Sequence, residues 1–206
     1  MTVGVGFPKT TLRSIPEMRQ LAPDLEKWEA TLKKKAKRTA KKMASGGNHD
    51  AALREHLAAL LKGGDAHARF SEAVGGFPAA KRGILAEGLV HTGWQLLEHL
   101  RIAQWDMLEF SRNAKHVSPQ FPEDYWPKSP APPDEEAWDK SVASFENDLR
   151  EMFKLVKNPK TDLYAKIPHG EGQTILREAL VLADHNSYHL AQLVDLRRAL
   201  GAWPKS

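Results

Sequence analysis

The sequence contains no cysteine. That excludes disulfides, thiolate metal sites, iron–sulfur clusters and a cysteine nucleophile, so any sulfur chemistry must use a thiol from outside the chain and any metal must be held by histidine and carboxylate. Long apolar runs are also missing: none approaches the roughly 20 residues needed to cross a bilayer, and the first 30 residues lack the continuous apolar stretch of a secretory signal. A Lys/Arg-rich start could mimic a transit peptide, but Glu17, Asp24, Glu26 and Glu29 interrupt it. The expectation is a cytoplasmic protein with no membrane partner. Period-two alternation, the mark of half-buried strands, is absent throughout.

What is present is enough for one domain with an appendage: 206 residues, 41% of them hydrophobic. The charge is unevenly spread. Residues 1–48 carry 11 basic and 4 acidic groups against 19 and 22 in the remainder, so the basicity belongs to an N-terminal arm and the body is close to neutral. The expected division is a basic extension over 1–47 and a helical domain over 48–206. Within the arm, a helix is predicted from Asp24 to Ala44. Lys33, Lys34, Lys35, Lys37, Arg38, Lys41 and Lys42 surround most of its circumference, leaving only Trp28 and Leu32 as an apolar stripe. This reads as a solvated tail or, alternatively, as an arm for nucleic acid or another anionic partner.

Four further helices follow from apolar spacing at three and four residues. The first is predicted over about 50–70 with Gly63-Gly64 as an interruption, the second from Thr92 to Asn113 with apolar residues on most sides. The third opens at Pro133-Asp134 and runs through Trp138, Val142, Phe145, Leu149 and Val156. The last spans Thr174 to Leu200 with Gly201 as its stop. Six prolines between Pro119 and Pro133 forbid helix or central strand there. The result is an all-α four-helix bundle in which one long connection can run back along the bundle.

The chemistry concentrates on two of these helices. His185 and His189, four apart on one helix, project from adjacent turns and can share a metal ion without deforming the backbone. Leu182 and Leu196 lie on the same side, so the pair points inward. Buried imidazoles without a ligand need hydrogen-bond partners, and Gln192 and Glu178 are the nearby polar residues. His99 is the candidate third ligand. Gln95 and Asp106 lie within about 40° of it on a helical wheel, a thin polar strip on an apolar surface. Structural histidines held by Asp106, Gln95 or other neighbours remain the alternative. His49, His56, His67 and His116 look solvated. His91 and His169 stand in loops before the two helices, where each could cap, contact a substrate or face water.

The segments Trp94-Gln95-Leu96-Leu97-Glu98-His99-Leu100-Arg101-Ile102-Ala103-Gln104-Trp105-Asp106 and Ala183-Asp184-His185-Asn186-Ser187-Tyr188-His189-Leu190-Ala191-Gln192-Leu193 resemble the two signature helices of the DinB-like family, over roughly residues 48–204. The arm is not part of that pattern. The resemblance implies an up-down-down-up four-helix bundle, frequent homodimers, and a three-histidine divalent metal site to which His99, His185 and His189 correspond.

It further implies a metal-dependent enzyme, a small-thiol S-transferase or a hydrolase acting on a small molecule. Relatives of this type use low-molecular-weight thiols such as bacillithiol or mycothiol. Zinc or nickel is the expected metal, with Asp106, His169 and Glu178 as candidate supporting or substrate-contacting groups. A non-catalytic metal- or ligand-binding protein of the stress response is the competing class.

Overall fold

The computed structural model describes residues 27, 30–35, 37–38 and 49–204. The chain separates into two units, Met1–Asp50 and Ala51–Ser206. In the first, the described residues 27, 30–35, 37 and 38 are helical and exposed, among them Lys33, Lys34, Lys35, Lys37 and Arg38. The rest of the predicted Asp24–Ala44 helix, with Trp28, Lys41 and Lys42, lies outside the described residues.

The second unit is helical throughout, with no strand among the described residues and one isolated bridge between Lys166 and Thr174. The helices within residues 49–204 are α1 (49–62), α2 (Phe70–Val74), α3 (Gly93–Arg112), α4 (Ala137–Lys157) and α5 (Ile175–Ala199). The helix predicted over 50–70 therefore ends at residue 62. Gly63 and Gly64 adopt φ of 65° and 94°, a left-handed conformation that ends α1, and the chain does not return to helix until Phe70.

Helix α3 starts where its sequence says it should. The Thr92 hydroxyl accepts from the Gln95 N–H while the Gln95 side chain accepts from the Thr92 N–H, a reciprocal cap that satisfies two otherwise unpaired donors. Gly93 is dictated by packing, since a Cβ there would lie 2.6 Å from the Phe77 ring. Beyond the cap, apolar residues occupy most of the circumference, with Leu97, Leu100 and Leu108 fully buried. A helix apolar on several faces must be covered on several faces, and α3 packs against both α4 and α5. By contrast α4 is one-sided: Trp138, Ser141, Phe145, Met152 and Val156 are buried and the opposite face is charged. It begins three residues beyond Asp134, whose carboxylate accepts from the backbone N–H groups of Glu136 and Ala137.

Two apolar clusters fill the interior. One gathers Phe70, Phe77, Trp94, Leu97, Trp138 and Leu193, the other Leu57, Leu61, Leu108, Met152 and Leu182. Buried arginines fasten the periphery. Arg54 of α1 donates to the carbonyls of Val156, Asn158 and Thr161, satisfying acceptors left open where α4 ends.

Candidate metal centre

His99 lies about two turns into α3, and His185 and His189 lie on consecutive turns near the middle of α5. Because α3 and α5 pack together, the three side chains meet. His99 Nε2 is 3.1 Å from His189 Nε2 and 3.0 Å from His185 Nε2, and one ligand atom from each ring falls within 4.8 Å of the others. His99 and His189 are buried and His185 is partly so.

The other ring nitrogens decide what those Nε2 atoms carry. His99 Nδ1 lies 2.9 Å from the Tyr125 carbonyl oxygen, which can only accept, so the proton is on Nδ1. His189 Nδ1 faces the Gln192 Oε1 acceptor at 2.8 Å with the same consequence. Two neutral imidazoles protonated at Nδ1 therefore point bare Nε2 lone pairs at each other across 3.1 Å. Such a contact is repulsive unless something positive lies between them.

A proton is a poor candidate. Burial, the largest cause, and neighbouring histidines lower the pKa of His99 and of His185 to about 4, and burial lowers that of His189. A divalent cation fits the donor set: nitrogen ligands about 2.0–2.1 Å from zinc at tetrahedral angles stand roughly 3.3 Å apart. The outward Nδ1–H bonds of His99 and His189 to oxygen acceptors are the arrangement that orients histidine ligands.

A polar chain runs beneath the rings. Gln104, fully buried, donates to the Phe145 carbonyl and accepts from the Asn186 side-chain amide. That leaves Asn186 Oδ1 and His185 Nδ1 as buried atoms without a hydrogen-bond partner among the described residues.

The long connection between α3 and α4 provides the roof. Trp126 stacks on His99 with ring centroids 3.8 Å apart and planes 3° from parallel, and His91 stacks on the far side of the same indole at 3.8 Å. His91 thus stands beside the site, partly buried, and helps line a small cavity of about 50 Å³ with Leu89, Val90, Leu96 and Gln192.

Tyr125 and Trp126 carry no ligand signature and were not among the expected residues. Their signal was two large aromatics inside a proline-rich stretch, which need an apolar or polarised surface to rest on. Gln192 does hold a histidine, as its position suggested, and Asn186 and Gln104 add a layer that spacing alone did not reveal.

The remaining expected residues are placed differently. Asp106 does not bond His99. Its carboxylate accepts instead from His116 Nε2 at 2.7 Å and from the Tyr125 hydroxyl at 2.6 Å. His116 is therefore not solvated as expected: its side chain is 6% exposed, because the connection folds back and lays it against Asp106 and the edge of Trp105. His169 donates to the Phe110 carbonyl near the C-terminal end of α3, about 16 Å along the helix from His99 at 1.5 Å per residue. Glu178 is buried in the first turn of α5 and paired with Arg177, about 10 Å along the axis from His185. Neither is brought to the histidines. His49, His56 and His67 are exposed as expected.

Comparison with known proteins gives one finding: a family model described as the DinB superfamily matches residues 51–193. No curated protein and no solved structure matches.

Proposed function

This chain belongs to the DinB superfamily, and from that premise we propose that His99, His185 and His189 hold a divalent cation, zinc or nickel, at the centre of a metal-dependent enzyme acting on a small molecule. The observation that carries the reading is the pair of bare Nε2 atoms facing each other at 3.1 Å. Three protein nitrogens leave at least one position free, the ligand count of catalytic rather than structural zinc. Bound there, the cation supplies Lewis acidity, which lowers the pKa of a thiol or water so that a nucleophile is available near neutral pH.

The chain's own residues do the rest. The three imidazoles stay neutral in the physiological range because they are buried, so they remain donors rather than competing for protons. Tyr125 and Gln192 fix two of them in the tautomer that presents Nε2 inward. Trp126 covers one face of His99 and excludes water from it. With no cysteine in the chain, sulfur transfer requires a small external thiol, and an S-transferase using one is the leading activity. Hydrolysis by activated water is the variant. The bundle takes the up-down-down-up course of its family, with α1, α3, α4 and α5 as its four helices.

The test begins with elemental analysis of protein purified without added metal. About one equivalent of a transition metal per chain is expected. The loaded protein is then assayed for consumption of small thiols against a panel of electrophiles. Loss of turnover on metal removal and its return on reloading support the enzyme. Full metal occupancy with no turnover of any thiol or ester favours the non-catalytic binding protein instead.

A further inference from the structure

The connection between α3 and α4 holds six prolines from Pro119 to Pro133, and its short helical turn covers only Glu123–Tyr125. Such a segment has few backbone hydrogen bonds of its own to fix its position. Yet two consecutive residues in it hold the outer side of His99: the Tyr125 carbonyl accepts from Nδ1 at 2.9 Å and the Trp126 indole stacks on the ring at 3.8 Å. An anchor outside the segment must hold this pair in place.

Asp106 does so. Its side chain leaves α3 two turns after His99, and both carboxylate oxygens are used by the connection. Oδ1 accepts from His116 near the start of the segment, and Oδ2 accepts from the Tyr125 hydroxyl. The residue is 8% exposed, so these bonds form where water competes poorly and a charged acceptor makes them strong. The Tyr125 hydroxyl donates to Asp106 Oδ2 at 2.6 Å. The ring of Tyr125 is thereby pinned at its far end while its own carbonyl reaches His99. One helix carries both the ligand and the anchor that orients it.

Resting on the metal-site reading above, we propose that Asp106 is a positioning residue for His99: by clamping His116 and Tyr125 it sets the Tyr125 carbonyl and the Trp126 roof, and so fixes the tautomer and ring angle of this ligand.

Two variants of the full chain test it. Tyr125→Phe removes a single oxygen and leaves the backbone carbonyl in place, and Asp106→Ala removes both bonds. In metal-free protein, nitrogen-resolved NMR of the histidine side chains is expected to show His99 as the Nδ1–H tautomer in the parent and as a mixture in both variants. Zinc affinity, measured by competition with a chelating dye, is expected to fall about 10- to 100-fold, the range for lost supporting bonds to a ligand. The double variant should be little worse than Asp106→Ala, because both changes cut one link. A merely structural role lowers the melting temperature and moves neither the tautomer nor the affinity.

An unchanged His99 tautomer in Tyr125→Phe, with zinc affinity within twofold of the parent, overturns the proposal. If the parent itself takes up no zinc, the metal reading fails, while the tautomer measurement still decides the role of Asp106.

Discussion

Helix α5 carries two buried polar clusters two to three turns apart, and they are opposites. At its C-terminal end Arg197 is 1% exposed. Its guanidinium donates to the carbonyls of Glu72, Ala73, Gly75 and Ala202 and lies over the rings of Phe77 and Trp203. Its donor nitrogens all have acceptors, and among those acceptors are carbonyls left open where α2 ends. In the middle of the helix, His189 faces His99 with lone pairs opposed, His185 Nε2 lies 3.0 Å from His99 Nε2, and an imidazole nitrogen and an amide oxygen are left over. A buried polar group with all its bonds made belongs to stability. One whose nitrogens converge on a common point without completing bonds to one another is a candidate for function.

The contrast breaks most visibly at Arg197. Arg197→Met should destabilise the domain by about 3 kcal/mol or more, since one buried and three part-buried carbonyls lose their donor. Urea unfolding measures this, and metal stoichiometry in the folded fraction should not change. The histidines should behave in the reverse sense. His189→Leu in metal-free protein is expected to stay within about 1 kcal/mol of the parent or to stabilise, because an apolar side chain relieves an unmatched polar contact. Each of His99→Ala, His185→Ala and His189→Ala should lose most bound metal while keeping its helical circular dichroism. Full stoichiometric metal in any one of them removes that histidine from the ligand set.

Acid sharpens the comparison further. His99 and His185 titrate at about 4 in the folded chain and at about 6.5 when unfolded. Between those values the unfolded state binds more protons than the folded one, so stability rises with pH across the window and is lost as pH falls from about 6.5 to about 4. Metal-free protein unfolded in urea at a series of pH values should show this slope, and the double variant His99→Leu/His185→Leu should flatten it. Arg197 contributes none of it, being charged in both states throughout. The smallest effect lies away from both clusters. Thr174→Ala removes the cap of α5, where the hydroxyl accepts from the Arg177 N–H, and should cost about 1 kcal/mol, with zinc affinity unchanged.

Much of this architecture can be read along the chain. Thr92 with Gln95 marks the start of α3, Asp134 anticipates the start of α4, and the spacing of Trp138, Phe145, Met152 and Val156 gives α4 its buried face. The i, i+4 pair His185/His189 announces itself because helix periodicity is local. In the predicted 50–70 stretch the Gly63-Gly64 interruption is where the helix ends; the part beyond it does not return to helix before Phe70, and the leucine spacing already stops at Leu61. His116 was misread: a histidine beside prolines and serines gives no hint that Asp106, ten residues back, will cover it.

The linear chain by itself determined which segments are helical, which faces are apolar, and that any metal must be held without thiolates. Those properties depend on neighbours three or four residues away and on side-chain chemistry alone. Only the tertiary structure decided that His99 meets His185 and His189, that Tyr125 and Gln192 set two tautomers, and that Asp106 serves the loop rather than the ligand beside it. Each of these joins residues far apart in the chain or depends on the direction in which a side chain leaves its helix, and neither is encoded in spacing.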